Sequence, residues 1–138
     1  MPGDLLLSIK GTIGSVALVP DAAAVDGDSG FWTAGQSFMI LRPRKGEVSG
    51  IALYEYLSNR AVRETLRSLA GGAGIPTISI KDLREFKVPI PSRNEEAEIE
   101  TAFWARQSQL SEVQALLAQI EKNRNASWPN DKLCGFGA

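Results

Sequence analysis

Residues 3–20 read GDLLLSIKGTIGSVALVP. Leu5 to Ile9 is a short run of strand formers, Lys10 to Gly14 is turn chemistry, and Ser15 to Val19 is a second run, stopped by Pro20. Two strands this close in sequence pair as a hairpin. Gly11 and Gly14 raise a choice between a phosphate cradle and a plain reversal. The stretch lacks the GK[ST] ending of a P-loop, and a strand follows it where that motif needs a helix. Local pattern alone favours a turn that needs positive φ. Lys10 and Thr12 remain on it as candidate ligand-facing donors.

Outward from the hairpin, residues 21–30 show no apolar periodicity and read as an exposed loop. Phe38 to Leu41 reads as a third strand, closed by Arg42-Pro43. From Ser49 or Gly50 a helix is expected to run to about Leu69, where Gly71, Gly72 and Gly74 end it. Thr77 to Ile80 alternates as a half-buried strand does, Lys81 to Glu85 suits a single turn, and residues 86–91, with two prolines, suit a sheet edge or connector.

After Ser92 the period changes. Ile99, Phe103, Arg106, Leu110, Val113, Leu117 and Ile120 are spaced alternately by four and three. Glu95, Glu96 and Glu98 near the helix start suit its dipole. A helix of about 28 residues, about 42 Å long, exceeds what the preceding domain needs. It is expected to pair as a coiled coil with another chain. Lettering Ile99, Arg106, Val113 and Ile120 as a, and the others as d, gives the two-stranded preference and hence a homodimer. The fold class expected is α+β: a small, twisted, mostly antiparallel sheet with a packed helix, then a long coiled-coil helix. The expected divisions are 1–92, 93–125 and a flexible tail, 126–138.

The 138 residues, 43% apolar, suffice for one modest core. Net charge is −1, but its distribution is uneven. Residues 42–93 carry ten Lys or Arg against five Asp or Glu, while both flanks are acidic. A basic face would therefore come from the middle third. The chain has no histidine, so the commonest general base and zinc ligand are missing. No catalytic group, metal site or cofactor is expected. The single cysteine, Cys134, and a start without a basic leader region point to a reducing, cytoplasmic setting. No apolar run approaches the ~20 residues that span a bilayer.

Arg60, Arg63 and Arg67 fall on one face of the expected helix, with Tyr56 one turn earlier and no acid interleaved. Such a stripe suits phosphate or base edges, and equally an ordinary solvated face. The loop from Gly71 offers the hydroxyls of Thr77 and Ser79, and reads equally as a helix cap and linker.

Taken in order, GDLLLSIKGTIGSVALVP, Gln36 before FMILRP (38–43), residues 53–92, and the heptad helix resemble the specificity subunit of type I restriction–modification systems. The matching part is the second half of a target recognition domain plus one spacer helix. Glu96 stands where that family often has Gln, and the β-rich segment that usually precedes GDLL is not in this sequence. The resemblance implies duplex DNA binding without catalysis, and docking to methyltransferase and restriction subunits. Lys10, Thr12, Tyr56, Arg60, Arg63, Arg67, Thr77 and Ser79 are the candidate DNA contacts. A second reading keeps only an interaction module, which oligomerises through the heptad helix with itself or with full-length specificity subunits.

Overall fold

The computed structural model describes residues 2–19 and 35–126. The loop expected at 21–30 and most of the tail lie outside the described residues. Two compact units divide the chain, Met1–Phe103 and Trp104–Ala138.

The first unit is built on a three-stranded antiparallel sheet. Its strands are β1 (Leu5–Ser8), β2 (Val16–Leu18) and β3 (Phe38–Leu41), in the order β2-β1-β3. The hairpin forms as expected, with Leu5 opposite Leu18 and Leu7 opposite Val16. On its other side β1 takes Leu5 opposite Leu41 and Ser8 opposite Phe38. An open edge beside β1 would invite another chain, but β1 is the central strand. Strand alternation sends Leu5 and Leu7 to the buried face, where Ile13, Leu53, Leu57, Leu66 and Ile78 complete the core.

One helix was expected over residues 50–69; two are present, α1 (Gly50–Ser58) and α2 (Arg60–Ser68). Asn59 between them is extended, at φ −61° and ψ 135°, and its side chain accepts from the Ala61 N–H at 2.9 Å. Asparagine competes with helix backbone through that bond, so it starts α2 where periodicity alone would continue α1. Tyr56 consequently lies on a different helix from the three arginines.

Residues 77–80 do not form a strand. Thr77 alone bridges Lys10 and Gly71, and the Ile78 N–H donates to Ile9 O at 2.9 Å. Ser79 caps α3 (Ile80–Glu85): its hydroxyl accepts from the Asp82 N–H at 3.1 Å and donates to Asp82 Oδ2 at 2.6 Å.

The long helix α4 covers Arg93–Ala126, 34 residues. Ser92 and Glu95 form a capping box: the Glu95 carboxylate accepts from the Ser92 hydroxyl at 2.7 Å and its N–H at 2.8 Å, and those bonds hold Glu95 below its ordinary pKa. Glu96 accepts from the Ser49 N–H, tying this helix start to the cap of α1. Phe103 is buried and meets Tyr54 edge-on, ring centroids 5.9 Å apart.

Asp4 is buried, only 3% exposed, and Arg42 grips both its oxygens, Nε to Oδ1 at 2.8 Å and Nη2 to Oδ2 at 2.7 Å. The guanidinium bonds outweigh desolvation and hold the Asp4 carboxyl well below the usual carboxylate range. A depressed folded pKa contributes stability that is complete above the unfolded value, about 3.9, and is lost as pH falls below it. Asp4→Asn is expected to cost about 2 kcal/mol near neutral pH. In urea melts at descending pH, the gap from the parent protein should shrink in acid. A gap that holds constant would contradict the ion pair's contribution.

Candidate nucleic-acid interface

The turn after β1 is shaped by its glycines. Gly11 and Gly14 have φ of 73° and 80°, conformations that side-chain-bearing residues rarely adopt. The Gly14 N–H donates to Ser8 O at 3.0 Å, and the Gly11 N–H to Pro76 O at 3.1 Å. Gly14 also lies against the backbone of Arg63, where a Cβ would come 3.5 Å from the carbonyl oxygen. Both glycines thus serve the reversal, and Gly14 adds a close approach to α2. Between them Ile13 is buried in the core, leaving Lys10 and Thr12 exposed.

Around this turn the fold gathers elements distant in sequence. Arg67 Nε donates to Ile13 O at 3.3 Å, which fastens α2 to the turn. Arg63 is half-buried, and its Nε has no hydrogen-bond partner among the described residues. Arg60 is almost fully exposed and pairs with Glu64 at 3.0 Å, so the arginine face does carry an interleaved acid. Lys10 bridges Thr77, which brings the 71–79 loop beside the turn. The Thr77 hydroxyl donates to Ile75 O at 3.1 Å. Ser79 spends its hydroxyl on the α3 cap. Lys10, Thr12, Arg63, Arg67 and Thr77 therefore belong to three connected elements, while Tyr56 lines a separate groove between residues of α1 and α4.

The heptad residues divide by surroundings. Ile99 is half-buried and Phe103 is spent on its own domain against Tyr54. Arg106 is exposed. Further along, Leu110, Val113, Leu117 and Ile120 are all more than half exposed. A step from a to d is three residues and from d to a is four, so Leu110 and Leu117 occupy a, and Val113 and Ile120 occupy d. That reverses the lettering taken from residue type, and Leu at a with β-branched d positions favours assemblies larger than two strands.

Sequence reading missed the Asp4–Arg42 pair and the Glu96–Ser49 contact, since partners 38 and 47 positions apart leave no local signature. The Ser92-x-x-Glu95 spacing was a readable signal for the α4 start. Among the described residues no helix is long and apolar enough to cross a membrane, and no cluster of His, Cys, Asp or Glu could hold a metal.

A small antiparallel sheet, a turn locked to a basic helix, and a long helix with an open apolar stripe define an α+β module. Residues 2–125 match the type I restriction modification DNA specificity domain, and the chain belongs to that family. It is 29% identical over 99 residues to the specificity subunit of the type I restriction enzyme MjaIX of Methanocaldococcus jannaschii, covering 72% of this chain and 21% of that protein. It is 26% identical over 96 residues to a protein of the same organism provisionally named the MjaX specificity subunit, covering 70% of this chain and 20% of that protein. The chain thus spans about a fifth of the length of these curated relatives.

Proposed function

We propose that this chain is a DNA-recognition module of a type I restriction–modification system, without catalytic activity of its own. It binds duplex DNA and docks to methyltransferase and restriction subunits in the cytoplasm. The observation that supports this reading is the fastening of α2 to the glycine turn: Arg67 Nε donates to Ile13 O and Gly14 lies against the Arg63 backbone, on the same turn that carries Lys10 and Thr12. Arginine forks suit phosphate oxygens and guanine edges, and the exposed Thr12 hydroxyl on the turn suits the sugar–phosphate backbone. Phosphate contacts position such a domain while few side chains read bases.

The test is fluorescence anisotropy with a pool of random duplexes. If four phosphates are neutralised, affinity should fall about a hundredfold between 50 and 200 mM salt. Lys10→Ala with Arg60→Ala should weaken binding to all sequences alike and lower the salt slope by roughly one unit for each cation removed. These two side chains are exposed, so the fold should be unaffected. A folded sample that binds no duplex at low salt refutes the reading.

A second reading is supported by the exposed stripe from Leu110 to Ile120. In it the chain does not read DNA, and works as an interaction module that assembles through α4 with itself or with a longer specificity subunit. Normal association without DNA binding would favour it.

A further inference from the structure

Away from the glycine turn, the first unit holds a groove of about 510 Å³. One wall is an α1 face, Ala52 and Tyr56 with Glu55, and the opposite wall is an α4 face, Ile99 with Glu95 and Glu98. The segment Val88–Pro91, with Val48 and Leu53, completes the lining. The groove is mostly apolar, and among the described residues the charged groups in its lining are all carboxylates. Spacings of three and four residues place the acids beside the apolar positions on both helix faces. Pro89 and Pro91 offer carbonyl acceptors and no N–H donor.

We infer that this groove docks a segment of a protein partner that presents arginine or lysine next to an aliphatic side chain. The inference rests on charge complementarity. A long cationic side chain can lay its methylene stem along apolar lining and carry its head to a carboxylate at the rim. The Tyr56 ring adds an aromatic face suited to a cation. An acceptor-rich lining suits a guanidinium, which brings only donors. The same carboxylates repel phosphate, so this face is unsuited to DNA. The Ser92 bonds keep Glu95 ionised without removing its charge.

The test uses the whole chain, labelled with nitrogen-15, and two peptide probes, acetyl-Leu-Arg-Leu-Arg-amide and acetyl-Leu-Glu-Leu-Glu-amide. The basic peptide should shift the amide signals of Ala52, Tyr56 and Ile99 saturably, and the acidic peptide should not. Glu98→Lys should weaken the basic peptide about fivefold or more with the rest of the spectrum unchanged. Glu98→Gln, the milder variant, should give a smaller loss. The inference is overturned by absent shifts at millimolar peptide, by equal binding of the acidic peptide, or by unchanged affinity in Glu98→Lys. Equal affinity for free arginine amide would replace the protein segment with a small cation. Duplex DNA that moves the same amides would also overturn it. Failure to bind DNA elsewhere would leave the groove result standing.

Discussion

Replacing Leu110 and Leu117 together by aspartate is expected to convert an associating protein into a monomer in sedimentation equilibrium. The two leucines are 53% and 55% exposed, with Val113 and Ile120 between and beyond them. Four large apolar side chains at heptad spacing on one helix gain from burial only when a second helix covers them. Each buried leucine contributes about 1.5–3 kcal/mol, and an aspartate in the seam would also have to be desolvated. The loss should therefore exceed what a single weak contact could explain. The second unit alone carries these substitutions, so far-ultraviolet circular dichroism and the melting of the first unit should hardly move. Leu110→Ala with Leu117→Ala should weaken association less than the aspartates do. An unchanged mass for the aspartate pair would refute pairing through this stripe. The parent mass will also decide whether the assembly has two strands or more, as Leu at a with Val or Ile at d suggests.

Gly50→Ala is expected to destabilise the first unit by about 2–3 kcal/mol, although Gly50 opens α1 and alanine is the better helix former. A Cβ at Gly50 would run into the backbone carbonyl of Gly3, which cannot swing aside as a flexible side chain can. That carbonyl belongs to the segment leading into β1, where the Gly3 N–H donates to Val19 O at 3.2 Å. Making room means moving either the hairpin or the helix. Thermal unfolding should show Tm lower by about 10 °C or more. Gly71→Ala is the control, because nothing lies within 4 Å of its would-be Cβ, and its Tm should change little. A neutral or stabilising Gly50→Ala would contradict the packing of α1 on the hairpin start.

Much of the architecture was legible because it is local. The hairpin followed from two apolar runs and a glycine turn, and the third strand from FMIL before Arg42-Pro43. The glycine question resolved toward the turn, since both residues have positive φ and their N–H groups bond within the fold. Asn59 shows where local reading fell short. Its apolar neighbours continue a helical period, and only the cap hydrogen bond reveals the break. Ser79 was read as a free hydroxyl because alternation in TISI resembled a strand, while the Ser79-x-x-Asp82 spacing marked a helix start.

The candidate interface was legible only as separate pieces. The residue types were visible, but the fastening of Arg67 to the glycine turn depends on a hydrogen bond spanning 54 positions. Tyr56 was grouped with the arginines on the premise of one helix, and the Asn59 break removes it to the acidic groove.

By itself the sequence determined what periodicity and local hydrogen bonding control: the paired strands, the capped start of α4, the heptad stripe and the basic middle third. Tertiary structure decided which strand is central, why residue 50 must lack a Cβ, and that Arg42 neutralises Asp4. Those outcomes depend on contacts between segments tens of residues apart. Chain entropy opposes such contacts, and only the collective burial of the core fixes which of them form.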